Sequence, residues 1–240
     1  MVKIRIVPQT PALVIEGEKK SLVITDLHIG FESEFGRKKI IVGRNTTVSQ
    51  TTNEVNKIIK LENPDSLILL GDIKSNVQNI TNNEWNDVPY FFKNINQDLE
   101  TILVPGNHDG NIEKLIPKNI TITSPNGIII DDILLTHGHA MPKSNFSNIS
   151  KIIMGHIHPV FFDDDSLLNG ERVWITMKLL KEKIFPRSNG IIEITIIPSF
   201  NKFFYSKQKK FYKKSISPII NKIDDVASAR VLTLDGTIIG

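Results

Sequence analysis

Five short apolar runs, each followed at once by a polar motif rich in His, Asp or Asn, constrain this chain more than any other feature. Residues 21–24 lead into Asp26-Leu27-His28, residues 66–70 into Gly71-Asp72, and residues 101–104 into Gly106-Asn107-His108-Asp109. Residues 132–135 lead into His137-Gly138-His139, and residues 152–154 into Gly155-His156-Ile157-His158. Continuous leucine and β-branched runs of this length read as strands buried on both faces. Ligands gather beyond the carboxyl ends of such strands in layered α/β folds, so the five motifs are predicted to converge on one place.

All six histidines fall inside these motifs, and none is left for another task. Imidazole with carboxylate suits first-row divalent metals, whereas an all-oxygen set suits calcium or magnesium and a thiolate set suits structural zinc. The mixture points to a catalytic metal centre. The chain has no cysteine, which excludes disulfides and thiolate sites and fits a reducing cytoplasm.

The remaining pattern predicts strands near residues 3–7 and 12–16 ahead of the first motif. A helix is expected over residues 48–61, where Val48, Thr52, Val55, Ile58, Ile59 and Leu61 form one stripe and Pro64 closes it. A second helix is expected over residues 83–96, carrying Trp85, Val88, Phe91 and Phe92 with Pro89 near its first turns. A short helix over residues 112–116 precedes a hairpin of residues 128–130 and 133–136 around Asp131-Asp132. From Val160 onward the chain reads mainly as strand, and no internal repeat is visible. With 240 residues, 40% hydrophobic and 23% charged, the expectation is a single domain over 1–240, its catalytic motifs in 21–158 and residues 160–240 completing a second sheet. The amino terminus has no long apolar segment, so neither a signal peptide nor a membrane span is expected.

The order Asp-x-His, Gly-Asp, Gly-Asn-His-Asp, His and Gly-His-x-His resembles the calcineurin-like metallophosphoesterase superfamily. Each piece alone is a weak signal, but five in this order that use every histidine are specific. The resemblance implies an α/β fold, a four-layer αββα sandwich of two mixed β-sheets flanked by helices. Carried over by position, it assigns Asp26, His28 and His158 to one metal ion, Asn107, His137 and His156 to a second, and Asp72 to both. It implies two divalent ions about 3.5–4 Å apart with a bridging hydroxide that attacks phosphorus in line. Manganese is the expected ion, with iron, zinc and nickel compatible with the same donors.

His108 follows a ligand directly, and the resemblance makes it the proton donor to the leaving oxygen or a contact for the phosphoryl group. His139 has two readings, as a residue that orients a ligand or as one that touches substrate, and Asp109 reads as a loop-shaping residue more than as a ligand. Further along, Ile197-Pro198-Ser199-Phe200-Asn201, Ser217-Pro218 and residues 235–240 resemble more loosely an archaeal branch of SbcD-related phosphoesterases. That branch is also similar to the phosphoesterases found beside bacterial DNA-repair ligases.

Two basic regions bear on substrate. Residues 202–214 carry six lysines interleaved with Phe203, Phe204, Tyr205, Phe211 and Tyr212, a mixture suited to phosphate and base contacts or to a solvated loop packed by its aromatics. Arg37, Lys38, Lys39 and Arg44 follow the first motif and either line one wall of the metal cleft or form a solvated loop. A net charge of +3 is too small to imply nucleic acid by itself. The expected function is a cytoplasmic, divalent-metal-dependent phosphodiesterase acting on nucleic acid, without a membrane partner. A phosphodiesterase for small cyclic nucleotides or nucleotide esters and a non-catalytic scaffold are the alternatives. Related enzymes dimerise, so a homodimer fits, whereas the chain is short for the capping and ATPase-binding segments of full SbcD-type nucleases and no ATPase partner is expected.

Overall fold

The computed structural model describes residues 2–32, 46–146, 148–203 and 215–239. Arg37, Lys38, Lys39, Arg44 and all of the basic aromatic segment beyond Phe203 lie outside the described residues. The elements in chain order are β1 (Lys3–Val7), β2 (Ala12–Glu16), β3 (Lys20–Ile24), α1 (Thr46–Glu62), β4 (Ser66–Leu69), α2 (Asn82–Asn94), β5 (Glu100–Leu103) and β6 (Thr121–Ile122). They continue with β7 (Ile128–Ile130), β8 (Ile133–Thr136), β9 (Lys151–Met154), β10 (Val173–Leu180), β11 (Ile191–Ile196) and β12 (Ser228–Thr233).

Two six-stranded sheets result, ordered β1-β2-β3-β4-β5-β6 and β12-β10-β11-β9-β8-β7. Both are mixed. In the first, β1, β2 and β3 pair antiparallel and β3 to β6 pair parallel. In the second, β8, β9 and β11 run parallel between the antiparallel pairs β7–β8 and β11–β10–β12.

Side chains alternate between two cores along each central strand. Leu22, Ile24, Leu67 and Leu69 pack under Val55, Ile58 and Ile59 of α1 and Val88, Phe91 and Phe92 of α2. Their neighbours Val23, Ile68 and Leu70 turn the other way and meet Ile133, Leu135, Ile153 and Trp174 between the sheets. With apolar layers on both faces, these strands show no polar alternation. Each such Leu, Ile or Phe contributes about 1.5–3 kcal/mol when fully buried.

The outer face of the second sheet is covered differently. Leu134, Ile152, Met154, Ile192 and Ile194 pack against Ile184, Phe185 and Ile219. Among the described residues this flank carries the 3-10 turns Ser144–Phe146, Lys181–Lys183 and Ile220–Lys222 rather than α-helices. Pro142 and Pro218 lie two residues before their turns and Pro186 three residues after its own, and proline denies the backbone donor that a helix running through it would need.

The helices depart from expectation in detail. α2 begins at a capping box, in which the Thr81 side chain accepts the Glu84 N–H and the Glu84 carboxylate accepts the Thr81 N–H at 2.7 Å. Pro89 lies past the middle of α2 instead of in its first turns, and the helix ends at Asn94. The short helix expected over residues 112–116 is a 3-10 turn, Ile112–Lys114, entered from a left-handed Asn111 and followed closely by Pro117. Among the described residues, no helix is long and apolar enough to cross a membrane.

Candidate metal centre

The loops beyond β3, β4, β5, β8 and β9 meet at one end of the two sheets. The loop after β3 pairs with the loop after β4: the N–H groups of Asp26, His28 and Ile29 donate to the carbonyls of Gly71, Asp72 and Ile73 at 3.1, 2.9 and 2.8 Å. Asp26, His28, Asp72, His156 and His158 all have positive φ, between 42° and 69°. A non-glycine residue in this region costs on the order of 1–2 kcal/mol, so five of the expected ligands sit in backbone that their surroundings must enforce.

Two glycines permit the close approach. A Cβ on Gly106 would overlap Asp72 Oδ1, and one on Gly155 would overlap the Thr25 hydroxyl and Asp26 Oδ2. Asp109 ties the loops from inside. Its buried carboxylate accepts the N–H groups of Asp72, Ile73 and Gly106, each at 2.8 Å.

Two groups of side chains bring one ligand atom each to within 4.8 Å of one another: Asp26, His28, Asp72 and His158, and Asp72, His137 and His156. Asp72 belongs to both. Its Oδ2 lies 3.2 Å from Nε2 of His137 and 3.8 Å from Nε2 of His28, while Oδ1 accepts the His108 N–H at 2.9 Å. Asn107 Oδ1 lies 3.3 Å from Nε2 of His137, which places the expected neutral ligand beside the second group.

The orientation of these groups suits cations. His137 Nδ1 donates to the Leu70 carbonyl at 2.7 Å, which turns its Nε2 toward Asp72, 3.2 Å away. Nε2 of His28 and Nε2 of His158 face each other at 3.2 Å. Asp26 Oδ2 accepts the His156 N–H at 3.1 Å, whereas its buried Oδ1 has no hydrogen-bond donor among the described residues and lies 3.1 Å from Nε2 of His158. Imidazole nitrogens and carboxylate oxygens that converge in a buried site fit divalent metal.

Electrostatics agree. Burial pushes His28 down to about 3 and His156 down to about 4, so both imidazoles are neutral near pH 7 with a lone pair to give. Burial also lowers His137, but the Asp72 and Asp26 carboxylates outweigh it and hold this ring up at about 9. Burial opposes ionisation of Asp72 and Asp26, yet the surrounding imidazoles keep both below the usual carboxylate range. Asp109 is raised to about 6 by burial and by the neighbouring charge of Asp72.

His108 and His139 stand at the margin. His108 Nδ1 is hydrogen-bonded to the Ser75 carbonyl, and its Nε2 lies 3.7 Å from Asp72 Oδ2. His139 is half-buried with its ring centre 5.3 Å from that of His137 and 6.2 Å from that of His156, and it joins neither ligand group. Sequence reasoning assigned no task to Arg172, Ser199, Asn201 or Ser217, all of which hydrogen-bond backbone at or next to the metal loops. Bonds from side chains to distant carbonyls leave no spacing signature.

Two stacked mixed sheets with a His, Asp and Asn cluster at their strand ends define a metal-dependent hydrolase of the two-sheet α/β class. A family model described as calcineurin-like phosphoesterase matches residues 19–196, and the chain belongs to that family, whose members hydrolyse phosphoester bonds. Among solved structures the chain is similar to nuclease MPE of Pseudomonas putida, with 15% identity over 97% of this chain and 98% of that one and a TM-score of 0.57. It also matches Yfce, a phosphoesterase from E. coli, with 17% identity over 92% of this chain and 96% of that one, at a TM-score of 0.38. The first shares the fold, and the second is too distant to bear on it. No curated protein matches the sequence.

Proposed function

We propose that this protein hydrolyses phosphodiesters with two divalent metal ions and that its substrate is nucleic acid. The observation that carries the reading is that one buried carboxylate, Asp72, belongs to both groups of potential ligands. Asp26, His28 and His158 would hold one ion with it, and Asn107, His137 and His156 the other. When bound, such a pair supplies Lewis-acid activation of water and stabilises charge developing at phosphorus. Manganese suits the mixture of oxygen and nitrogen donors.

The protein's own groups complete the reaction. The hydrogen bond to the Ser75 carbonyl fixes the His108 ring so that Nε2 turns toward the centre. Its side chain is 18% exposed while that of His28 is fully buried, so of these two rings beside Asp72 it is His108 that an arriving ester can reach. A proton on Nε2 passes to the departing ester oxygen, which leaves as an alcohol, and the ring recovers a proton from solvent.

Nucleic acid is supported by two features. The Pseudomonas putida protein of the same fold is described as a nuclease. Close to the first ligand loop, Phe203 stacks on Phe31 with ring centres 5.7 Å apart, and Lys202 Nζ lies 5.2 Å from the Phe203 ring centre. A cation beside an aromatic face is suited to phosphate and base together.

The test is to strip the protein with a chelator, restore manganese, and assay bis-p-nitrophenyl phosphate, then single-stranded, duplex and cyclic substrates. Metal-dependent cleavage of the chromogenic diester and of polynucleotides is expected. Two bound ions without hydrolysis would favour a scaffold, and cleavage of cyclic nucleotides alone would end the nuclease reading.

A further inference from the structure

Beyond the residues matched by the family model, two short segments return to the ligand loops. The Ser199 hydroxyl donates to the Asp26 carbonyl at 3.0 Å, and Asn201 Nδ2 donates to the Leu27 carbonyl at 3.0 Å. The backbone N–H groups of Phe200 and Asn201 donate to the carbonyls of Thr25 and Asp26 at 3.0 and 3.2 Å. Ser199 and Asn201 are buried. Their segment thus extends the pairing of a strand that has already ended, across the left-handed turn that carries Asp26 and His28.

Arg172 holds the same segment from the other side. Its Nη1 donates to the carbonyls of Ser199 and Phe200 at 2.8 and 2.9 Å. Arg172 also forms an antiparallel bridge with Val160, two residues after His158. Arg172 therefore joins the chain just after His158, through its backbone bridge to Val160, to the 199–201 segment, through its guanidinium, and that segment in turn bonds the loop of Asp26 and His28. In the other half of the site, the buried Ser217 hydroxyl donates to the Gly138 carbonyl at 2.7 Å, between His137 and His139.

None of these bonds reaches a donor atom of the ligand groups. The bonds from Ser199 and Asn201 satisfy carbonyls in the left-handed loop of Asp26 and His28, and the bond from Ser217 satisfies that of Gly138 beside His137; a buried carbonyl that loses its donor relaxes the loop and the ligand with it. We infer that the segments act as two independent positioning straps, one for each ion: Ser199, Asn201 and Arg172 for the ion at Asp26, His28 and His158, and Ser217 for the ion at Asn107, His137 and His156. This inference rests on the two-ion reading above.

The experiment titrates manganese into metal-free wild type, the double variant Ser199→Ala/Asn201→Ala and Ser217→Ala by calorimetry, and measures ion occupancy at each position by anomalous scattering from manganese-soaked crystals. Wild type is expected to take two ions. The double variant should weaken the ion at Asp26, His28 and His158 by about tenfold or more, the scale for lost partners of metal ligands, and Ser217→Ala should do so for the other ion. Melting of the metal-free proteins checks that each is folded, and Ser199→Ala and Asn201→Ser singly carry the test should the double variant fail to fold. Two ions bound by every variant with wild-type affinity, or both ions weakened alike by either strap, would overturn the inference and leave the two-ion reading intact. A wild type that binds no ion would sink both.

Discussion

Nε2 of His137 lies 3.2 Å from Oδ2 of Asp72, and the opposite ring nitrogen is already engaged by the Leu70 carbonyl at 2.7 Å. The ring has no freedom to turn away, so the pair is a fixed element of the site on which the second ligand group is built. Asp72 faces His28 as well, and both ligand groups depend on it. Asp72→Asn keeps the volume and removes the charge. Manganese affinity is expected to fall at both positions by more than the roughly 10- to 100-fold typical of losing a ligand's hydrogen-bond partner. Calorimetry that found one ion unaffected would show that this carboxylate is not shared.

His108 offers a separate test of chemistry against binding. Its ring belongs to neither ligand group, so His108→Ala should retain both ions. Turnover is expected to fall by about a hundredfold or more, the usual loss for a missing general acid. The loss should be larger for an alkyl leaving group, which needs a proton, than for p-nitrophenolate, which does not. Equal rates for wild type and variant with both leaving groups would remove His108 from the mechanism.

Asp109 bears on stability instead. Three N–H groups, those of Asp72, Ile73 and Gly106, converge on its buried carboxylate. In Asp109→Ala all three lose their acceptor inside the fold, at about 1–3 kcal/mol for each buried group left unmade. The variant should lose about 3 kcal/mol or more by urea unfolding of the metal-free protein, and Asp109→Asn, which keeps one acceptor oxygen, should lose less. Wild-type stability in Asp109→Ala would mean that water replaces the carboxylate at no cost.

What could be read in advance follows from burial. The strands that lead to the motifs are apolar on both faces because one face meets α1 and α2 and the other meets the second sheet, and such runs stand out. The convergence of their ends follows from parallel pairing of β3, β4 and β5 and of β8 and β9. The left-handed backbone of Asp26, His28, Asp72, His156 and His158 was not legible, since single residues with positive φ carry no pattern when they are not glycine. β6 was missed because it pairs through two residues only, Thr121 and Ile122, both exposed. Arg172 gave no signal: it acts on the carbonyls of Ser199 and Phe200, and any residue type there would offer the same acceptor.

Far from the metal loops, Glu62 at the end of α1 sets an acid limit on the fold. Arg5 on β1 donates to both of its carboxylate oxygens, through Nη1 to Oε1 at 3.0 Å and through Nη2 to Oε2, and Lys20 Nζ lies 3.3 Å from Oε2. The Arg5 hydrogen bonds hold the Glu62 carboxyl below its ordinary value of 4.5, burial opposes this, and Lys20 adds to it. A carboxyl whose pKa is lower in the folded than in the unfolded chain stabilises the fold above the unfolded value, and that contribution disappears as pH falls through the folded one. Glu62→Gln should therefore cost about 1–3 kcal/mol near pH 7, the scale for hydrogen bonds to a charged group. The gap between wild type and variant should close as pH drops below 4.5 and the wild-type carboxyl takes up its proton. Urea unfolding from pH 7 down to pH 3 measures it, and a gap that stays constant across that range would show that the Arg5–Glu62 pair contributes through shape and not through charge.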